Sequence, residues 1–304
     1  MPSLNSSVGD ILTTAYSASV FELTQQRMSK LRGAVSVEPL PAEDKLFPRI
    51  ASQEVQQLQE RSPLIVPSNI QWDNRRLAAG RVGIPFYVDK LDVERMLVDP
   101  KSVLAMRAAE ALERNLDRVV IQSFTAPAMT GRNGTVPITA ANDGVVTIDA
   151  TSGFTYDTLL QIKEQFQSVE LGTHGGTDEG MKMYLIVSEQ EHAKLMREGT
   201  LINSLYTQRG SAVDRGSLDM VLDFELIVYG SGVPYPMLPV TNNVRACYAI
   251  CSGAVTLGIT QNWETELEKV NARWQTWQVL ASGVVGATRM EGARVVQINT
   301  TPGQ

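Results

Sequence analysis

At 304 residues, 43% hydrophobic and 20% charged, the chain has the make-up of an ordinary folded protein, long enough for one large core or two modest ones. Its 33 acids outweigh 27 basic residues, for a net charge of −6 and an isoelectric point near 5.1. Nucleic-acid affinity comes mainly from Lys and Arg, so such a chain can enclose nucleic acid but is poorly equipped to grip its phosphates. No stretch approaches the roughly twenty apolar residues of a membrane span. Met1–Asp10 lacks the basic residue and apolar run of a secretory leader. Two cysteines, Cys247 and Cys251, make no disulfide framework. These features together predict an intracellular chain.

Ser17–Leu31 reads as a short helix, with Val20, Phe21, Met28 and Leu31 as apolar contacts and Gly33 ending it. Ala34–Phe86 is punctuated by prolines and glycines among short apolar runs, which predicts hairpin arms rather than core. Ile50, Val55, Leu58, Ile70, Trp72 and Leu77 need something to pack on, and a partner subunit would supply it. Between Arg61 and Phe86 stand four arginines, Arg61, Arg75, Arg76 and Arg81, against one acid, Asp73. This segment is either a solvated basic loop or a surface that docks on an acidic neighbour.

Asp99–Phe124 reads as one long amphipathic helix. Asp99 can cap it, and Pro100 takes the first position, where its missing N–H costs nothing. Leu104, Ala108, Leu112, Leu116 and Val119 form its apolar stripe, and Glu110 with Arg114 is a favourable pair four residues apart. Roughly ninety residues of loop and hairpin before the first strong helix is unusual for an enzyme. It suits a subunit whose arms reach neighbours.

Thr130–Asp149 is turn-rich, with Asn133-Gly134 and Asn142-Asp143-Gly144 flanking a short strand. A second helix spans Phe154–Leu171, burying Leu159, Ile162, Phe166 and Val169, with Gly172 just past its end. A polar loop, Gly172–Gly180, leads to a strand over Met181–Val187, and Ser188 with Glu191 fits a capping box that opens a third helix. Strands dominate from Leu218: Phe224–Tyr229, Val244–Ile259 broken at Ser252-Gly253, Trp263–Val270, Arg273–Val285 and Arg294–Ile298, the last two joined by a turn at Glu291-Gly292. There is no regular βαβ alternation, which makes α+β the fold class.

Candidate chemistry is sparse. His174 shares its glycine-rich loop with Asp178 and Glu179, but one histidine and two acids lack a metal-site spacing, and His192 reads as a surface residue. Cys247 and Cys251 point to the same face of a strand and read as small buried hydrophobes. Glu264, Glu266 and Glu268 form an acidic row, either a catalytic or metal-binding edge or, better supported, a charged edge strand that discourages aggregation. Trp274 and Trp277 read as core or interface anchors, because no basic cluster surrounds them. No catalytic residue, cofactor or metal is expected.

Several stretches together resemble the major capsid proteins of tailed bacteriophages. Gln25–Arg32 followed by Phe47-Pro48-Arg49-Ile50 resembles an N-terminal arm entering an extended loop. Tyr87–Asp92, Asp99-Pro100 and the long helix resemble the entry to a spine helix. Tyr206–Gly216 and Leu218–Tyr229 resemble an axial domain, and Trp274–Ala287 with Arg289–Ile298 resembles the closing strands.

The resemblance implies an α+β, Hong Kong 97-type phage capsid fold: N-terminal arm 1–32, extended loop 33–86, peripheral domain with spine helix 87–149, axial domain 150–266, and return strands 267–304. It also implies a structural role without catalysis. Copies would form pentamers and hexamers that close an icosahedral head around double-stranded DNA, assembled in the host cytoplasm with a separate scaffolding protein, a portal and, as an optional partner, a decoration protein. The arm begins almost at Met1, so either scaffolding is a separate protein or this is a processed form. The charge imbalance assigns Arg75, Arg76 and Arg81 to inter-subunit contact. Two rivals are a nanocompartment shell of the encapsulin kind, which shares the fold, and a soluble enzyme using the His174 loop or the glutamate row.

Overall fold

The computed structural model describes residues 26–50, 70, 72–88, 100–171, 181–197, 220–232, 235–238, 240–270 and 276–302. Among the described residues four strands come first: β1 (Ser36–Pro39), β2 (Asp44–Ile50), β3 (Trp72–Ala78) and β4 (Gly80–Val88). The long helix α1 (Pro100–Thr125) follows, then β5 (Ala128–Thr130), β6 (Val136–Ile138) and β7 (Val146–Ala150). Next come α2 (Tyr156–Ser168), β8 (Met183–Ser188) and α3 (Glu189–Arg197). The described elements after it are β9 (Met220–Val221), β10 (Phe224–Tyr229), β11 (Val240–Thr241), β12 (Val244–Cys251), β13 (Val255–Val270), β14 (Thr276–Arg289) and β15 (Val295–Thr300), with a 3-10 turn at Gly292–Arg294 before the last.

These strands make three sheets. A seven-stranded mixed sheet runs β7-β15-β12-β8-β10-β9, with β11 beside β12. Its inner strand β8 is buried along its whole length, as expected of a strand with a neighbour on each side and covered faces. α2 packs on it through Leu159, Ile162 and Phe166, the last with its ring centroid 6.0 Å from that of Phe224. A four-stranded sheet, β1-β13-β14-β4, is built on a long hairpin, and a second four-stranded sheet, β2-β3-β5-β6, carries the base of the arms.

α1 joins the first two sheets. Its 26 residues span about 39 Å at 1.5 Å each. Ala108, Leu112, Leu116, Val120 and Phe124 are buried at four-residue spacing, while Leu104 and Val119, expected on the stripe, are half-buried. Ala108 and Leu112 pack with Ala281 of β14 and Val82 and Phe86 of β4. Leu116, Val120 and Phe124 enter the main core, where the Phe124 ring lies 5.0 Å from Tyr248. Each such side chain contributes roughly 1.5–3 kcal/mol by leaving water.

The structure differs from sequence expectation at several places, each with a local cause. Residues 26–31, expected to end a helix, form bends, because their backbone N–H groups are taken by acids of α1; residues 17–25 lie outside the described set. Glu110 takes ion pairs from Arg107 and Arg27 and favours the charged Arg114 electrostatically, while Arg114's hydrogen bond goes to the Gln26 carbonyl. α2 stops at Ser168 because Glu170 adopts a left-handed conformation, which leaves Val169 exposed. β13 runs unbroken from Val255 to Val270 apart from register shifts between Ile259 and Glu264, so the division at 266/267 falls inside one strand. β15 enters the seven-stranded sheet between β7 and β12. Leu77, expected to need a partner subunit, is fully buried within this chain.

Turn signals held where positive φ is required. Gly134 has φ +62°, and a Cβ there would lie 2.6 Å from the Arg76 Cβ and 2.7 Å from a Leu46 methyl.

Candidate functional site

Two buried carboxylates tie the arm segments to the body. Asp117 on α1 is fully buried and accepts from five donors: Gln26 Nε2 at 2.6 Å, Ser29 Oγ at 2.5 Å, the Lys30 and Leu31 amides at 3.1 Å each, and Tyr229 Oη at 2.7 Å. Burial and the Asp117 charge push the Tyr229 phenol far above its ordinary pKa, so it stays a donor. Arg114 donates to the Gln26 carbonyl at 3.0 Å, and Lys30 Nζ donates to the Val228 carbonyl at 2.7 Å. The last described residues of the N-terminal segment are thus fastened to one face of the helix.

Asp143, in the turn before β7, ion-pairs with two guanidiniums: Arg75 from β3, and Arg289 from β14 at 2.8 Å. All three side chains are nearly or wholly buried. Arg289 also donates to the Phe124 and Ala126 carbonyls at 2.7 and 3.0 Å. α1 has no basic residue in its own last turn, so Arg289 supplies the positive charge its C-terminus favours. Burial pulls the Arg75 guanidinium below its ordinary pKa, and Asp143 opposes that pull. Nearby, Asp73 pairs with Arg49 and accepts from Thr130 Oγ1 and the Gly131 amide. Burial alone would raise its pKa, but these donors hold it well below the carboxylate range.

On the outer face of the arm sheet, Ile50 pairs across strands with Trp72, and Leu46 with Arg76. Trp72 is 62% exposed, Ile50 58% and the adjoining Ile70 51%, so a cluster of large apolar side chains faces solvent.

The three arginines singled out by charge imbalance are not alike. Arg75 is spent inside the chain on Asp143, because its position in β3 points to the body. Arg76, on the opposite face, meets Asp44 across the hairpin in a half-exposed pair. Arg81 is exposed on β4, the last strand of its sheet, and lines a cleft of about 550 Å³ with Arg114 and Arg118 of α1.

Among other candidates, His192 is half-buried on α3 rather than on the surface, and His174 and Trp274 lie outside the described residues. Among the described residues no three His, Cys, Asp or Glu side chains gather as a metal site. Both cysteines are free and buried, as expected, and burial pushes Cys247 up to about 12 and Cys251 up to about 11. Glu264, Glu266 and Glu268 are exposed along β13. A further buried cluster joins Arg245 of β12 with Ser188 and Glu191, where the Ser188 hydroxyl donates to the Glu191 carboxylate and accepts from the Gln190 amide, a side-chain bond in place of the expected capping box.

Sequence reading missed Asp117 and Asp143 as hubs. Asp117 interrupts what is otherwise a second apolar row with Ile121 and Phe124, and that interruption was the available signal.

Spine helix, long hairpin and mixed sheet together define the class, the Hong Kong 97-type capsid fold. The chain superposes on the capsid of cyanophage P-SCSP1u with a TM-score of 0.71, covering 97% of this chain and 94% of that one at 12% identity. The head of Helicobacter pylori bacteriophage KHP40 gives 0.72 over 99% of both chains at 10% identity, and the capsid of cyanophage Pam1 gives 0.70 over 95% and 96% at 13%. No curated protein matches the chain. The chain belongs to the phage capsid protein family, whose model matches residues 9–301. It is a structural major capsid protein, and its place is the virion capsid. The nanocompartment alternative gains no support from these relatives.

Proposed function

We propose that copies of this chain associate as pentamers and hexamers that close an icosahedral head around phage double-stranded DNA, without catalysis. The observation that carries the reading is the solvent-facing cluster of Ile50, Ile70 and Trp72 beside the arms. Apolar surface of this kind is stabilised by roughly 1.5–3 kcal/mol per large side chain once a neighbouring copy covers it. The division into arm 1–32, extended loop 33–86, peripheral domain 87–149, axial domain 150–266 and return strands 267–304 is part of the same proposal. Contact with acids of an adjacent subunit falls to Arg81, and to Arg76 by exchange of its half-exposed pair with Asp44, since Arg75 is wholly buried on Asp143. Assembly takes place in the host cytoplasm with a separate scaffolding protein, a portal and, as an optional partner, a decoration protein. A net charge of −6 suits a shell that holds DNA without adhering to it.

The test is the pair Ile50→Ser and Trp72→Ser. Both side chains are exposed in the subunit, so the fold should survive while shell yield collapses. Normal shells from the double variant would refute the role of this surface.

A further inference from the structure

The sheet β1-β13-β14-β4 has two dissimilar edges. On one side β13 pairs with β1 only from Thr256 to Ile259, and beyond that no described strand covers it. This uncovered stretch carries Glu266 and Glu268, with Glu264 beside them, all exposed. On the other side β4 ends the sheet, and the cleft between it and α1 is lined by Arg81, Ile84, Arg114, Asn115, Arg118 and Tyr235. The buried Nδ2 of Asn115 makes no hydrogen bond among the described residues. Among the described residues one edge is therefore acidic and the other basic, and no described strand pairs with the outer side of β4 or of β13 beyond Ile259.

We propose that the arginine cleft beside β4 receives the acidic edge strand of a second copy of this chain. This deepens the capsid reading and rests on it. Spacing agrees with the match: carboxylates two residues apart on a strand repeat about every 6.6 Å, and Arg114 and Arg118, one helical turn apart, repeat about every 6 Å. Glu266 lies opposite Leu280 and Leu280 opposite Pro85, so the two edges flank a single strand, about 10 Å apart, and face away from each other. A subunit therefore offers its acidic edge to one neighbour and its basic edge to another. That contact is heterologous, the kind that closes into rings.

The test uses full-length chains carrying R81E with R118E, or E266K with E268K, followed by electron microscopy and sedimentation. Each reversed chain should stay folded by circular dichroism and lose roughly tenfold or more of its shell yield. All four substitutions in one chain should restore shells. Mixing the two reversed chains should give rings in which they alternate, hence hexamers but no pentamers, because alternation cannot close on an odd number. Normal shells from either reversed chain, or no rescue in the combined chain, would overturn the proposal. So would normal assembly coupled to lost binding of inorganic polyphosphate, which would put a phosphate in the cleft.

If reversal prevents folding, R81Q with R118Q replaces it. Wild-type yield should then fall with added salt while the neutral variant's yield stays flat, and identical salt responses would refute the contact. If the wild type itself forms only small oligomers, the capsid reading fails separately. The same reversal and rescue among those oligomers would still support the contact, and its absence would overturn it.

Discussion

Replacing Asp117 with alanine removes the acceptor of five donors at once and should loosen the N-terminal segment from α1. Hydrogen bonds to a charged group contribute about 1.5–3 kcal/mol each, so a plain sum would exceed 7 kcal/mol. That sum overstates the loss. Gln26, Ser29 and Lys30 are partly or wholly exposed and regain water once the segment lifts, whereas Leu31 and Tyr229 are buried and do not. The expected cost is about 3–5 kcal/mol, or a fall of roughly 6–10 °C in Tm for a chain of this size. Asp117→Asn keeps one acceptor oxygen and should lose about half as much. Thermal denaturation of unassembled subunit measures the loss, and limited trypsin digestion at Arg27, Lys30 and Arg32 reports where it occurs. A change below about 1 kcal/mol with unaltered cleavage would refute the reasoning.

Asp143→Asn leaves Arg75 and Arg289 buried without a counter-charge and should cost about 3–5 kcal/mol in urea unfolding, against about 0.5 kcal/mol for Asp44→Asn in the half-exposed pair with Arg76. At Gly286 an added Cβ would sit 2.1 Å from the Ala78 carbonyl oxygen, so Gly286→Ala must push two backbones apart and should destabilise by about 2 kcal/mol or more. Gly80→Ala, with nothing within 4 Å, is its near-neutral control. Burial pushes Cys247 up to about 12 and Cys251 up to about 11 from an ordinary 9.0. The folded state thus keeps protons that the unfolded state releases, and stability should decline as pH rises from about 9 towards 12. Iodoacetamide at pH 8 should label neither thiol until the chain unfolds.

Much of this architecture was legible because the periodic signals were strong. The helix predicted from Asp99 to Phe124 is α1, and Asn133-Gly134 and Ser252-Gly253 are turns whose glycines take positive φ. Local patterning could not show which acids are buried. Asp117 draws its partners from 86 or more residues away and Asp143 from β3 and β14, contacts that no window of sequence contains. The same distance explains Arg75 and Arg81. Both read as basic arm residues, but the alternation of β3 turns Arg75 inward to Asp143, while Arg81 stands on β4, the outermost described strand of its sheet. The bends at 26–31 followed from tertiary capture of amides that a helix would otherwise have used.

Electron microscopy of the purified full-length chain, alone and then co-expressed with the genes that neighbour its own, tests the central claim most directly. The account predicts closed shells of uniform size built from five- and six-fold capsomers, with nucleic acid inside when the packaging genes are present. Small discrete oligomers under both conditions would contradict it.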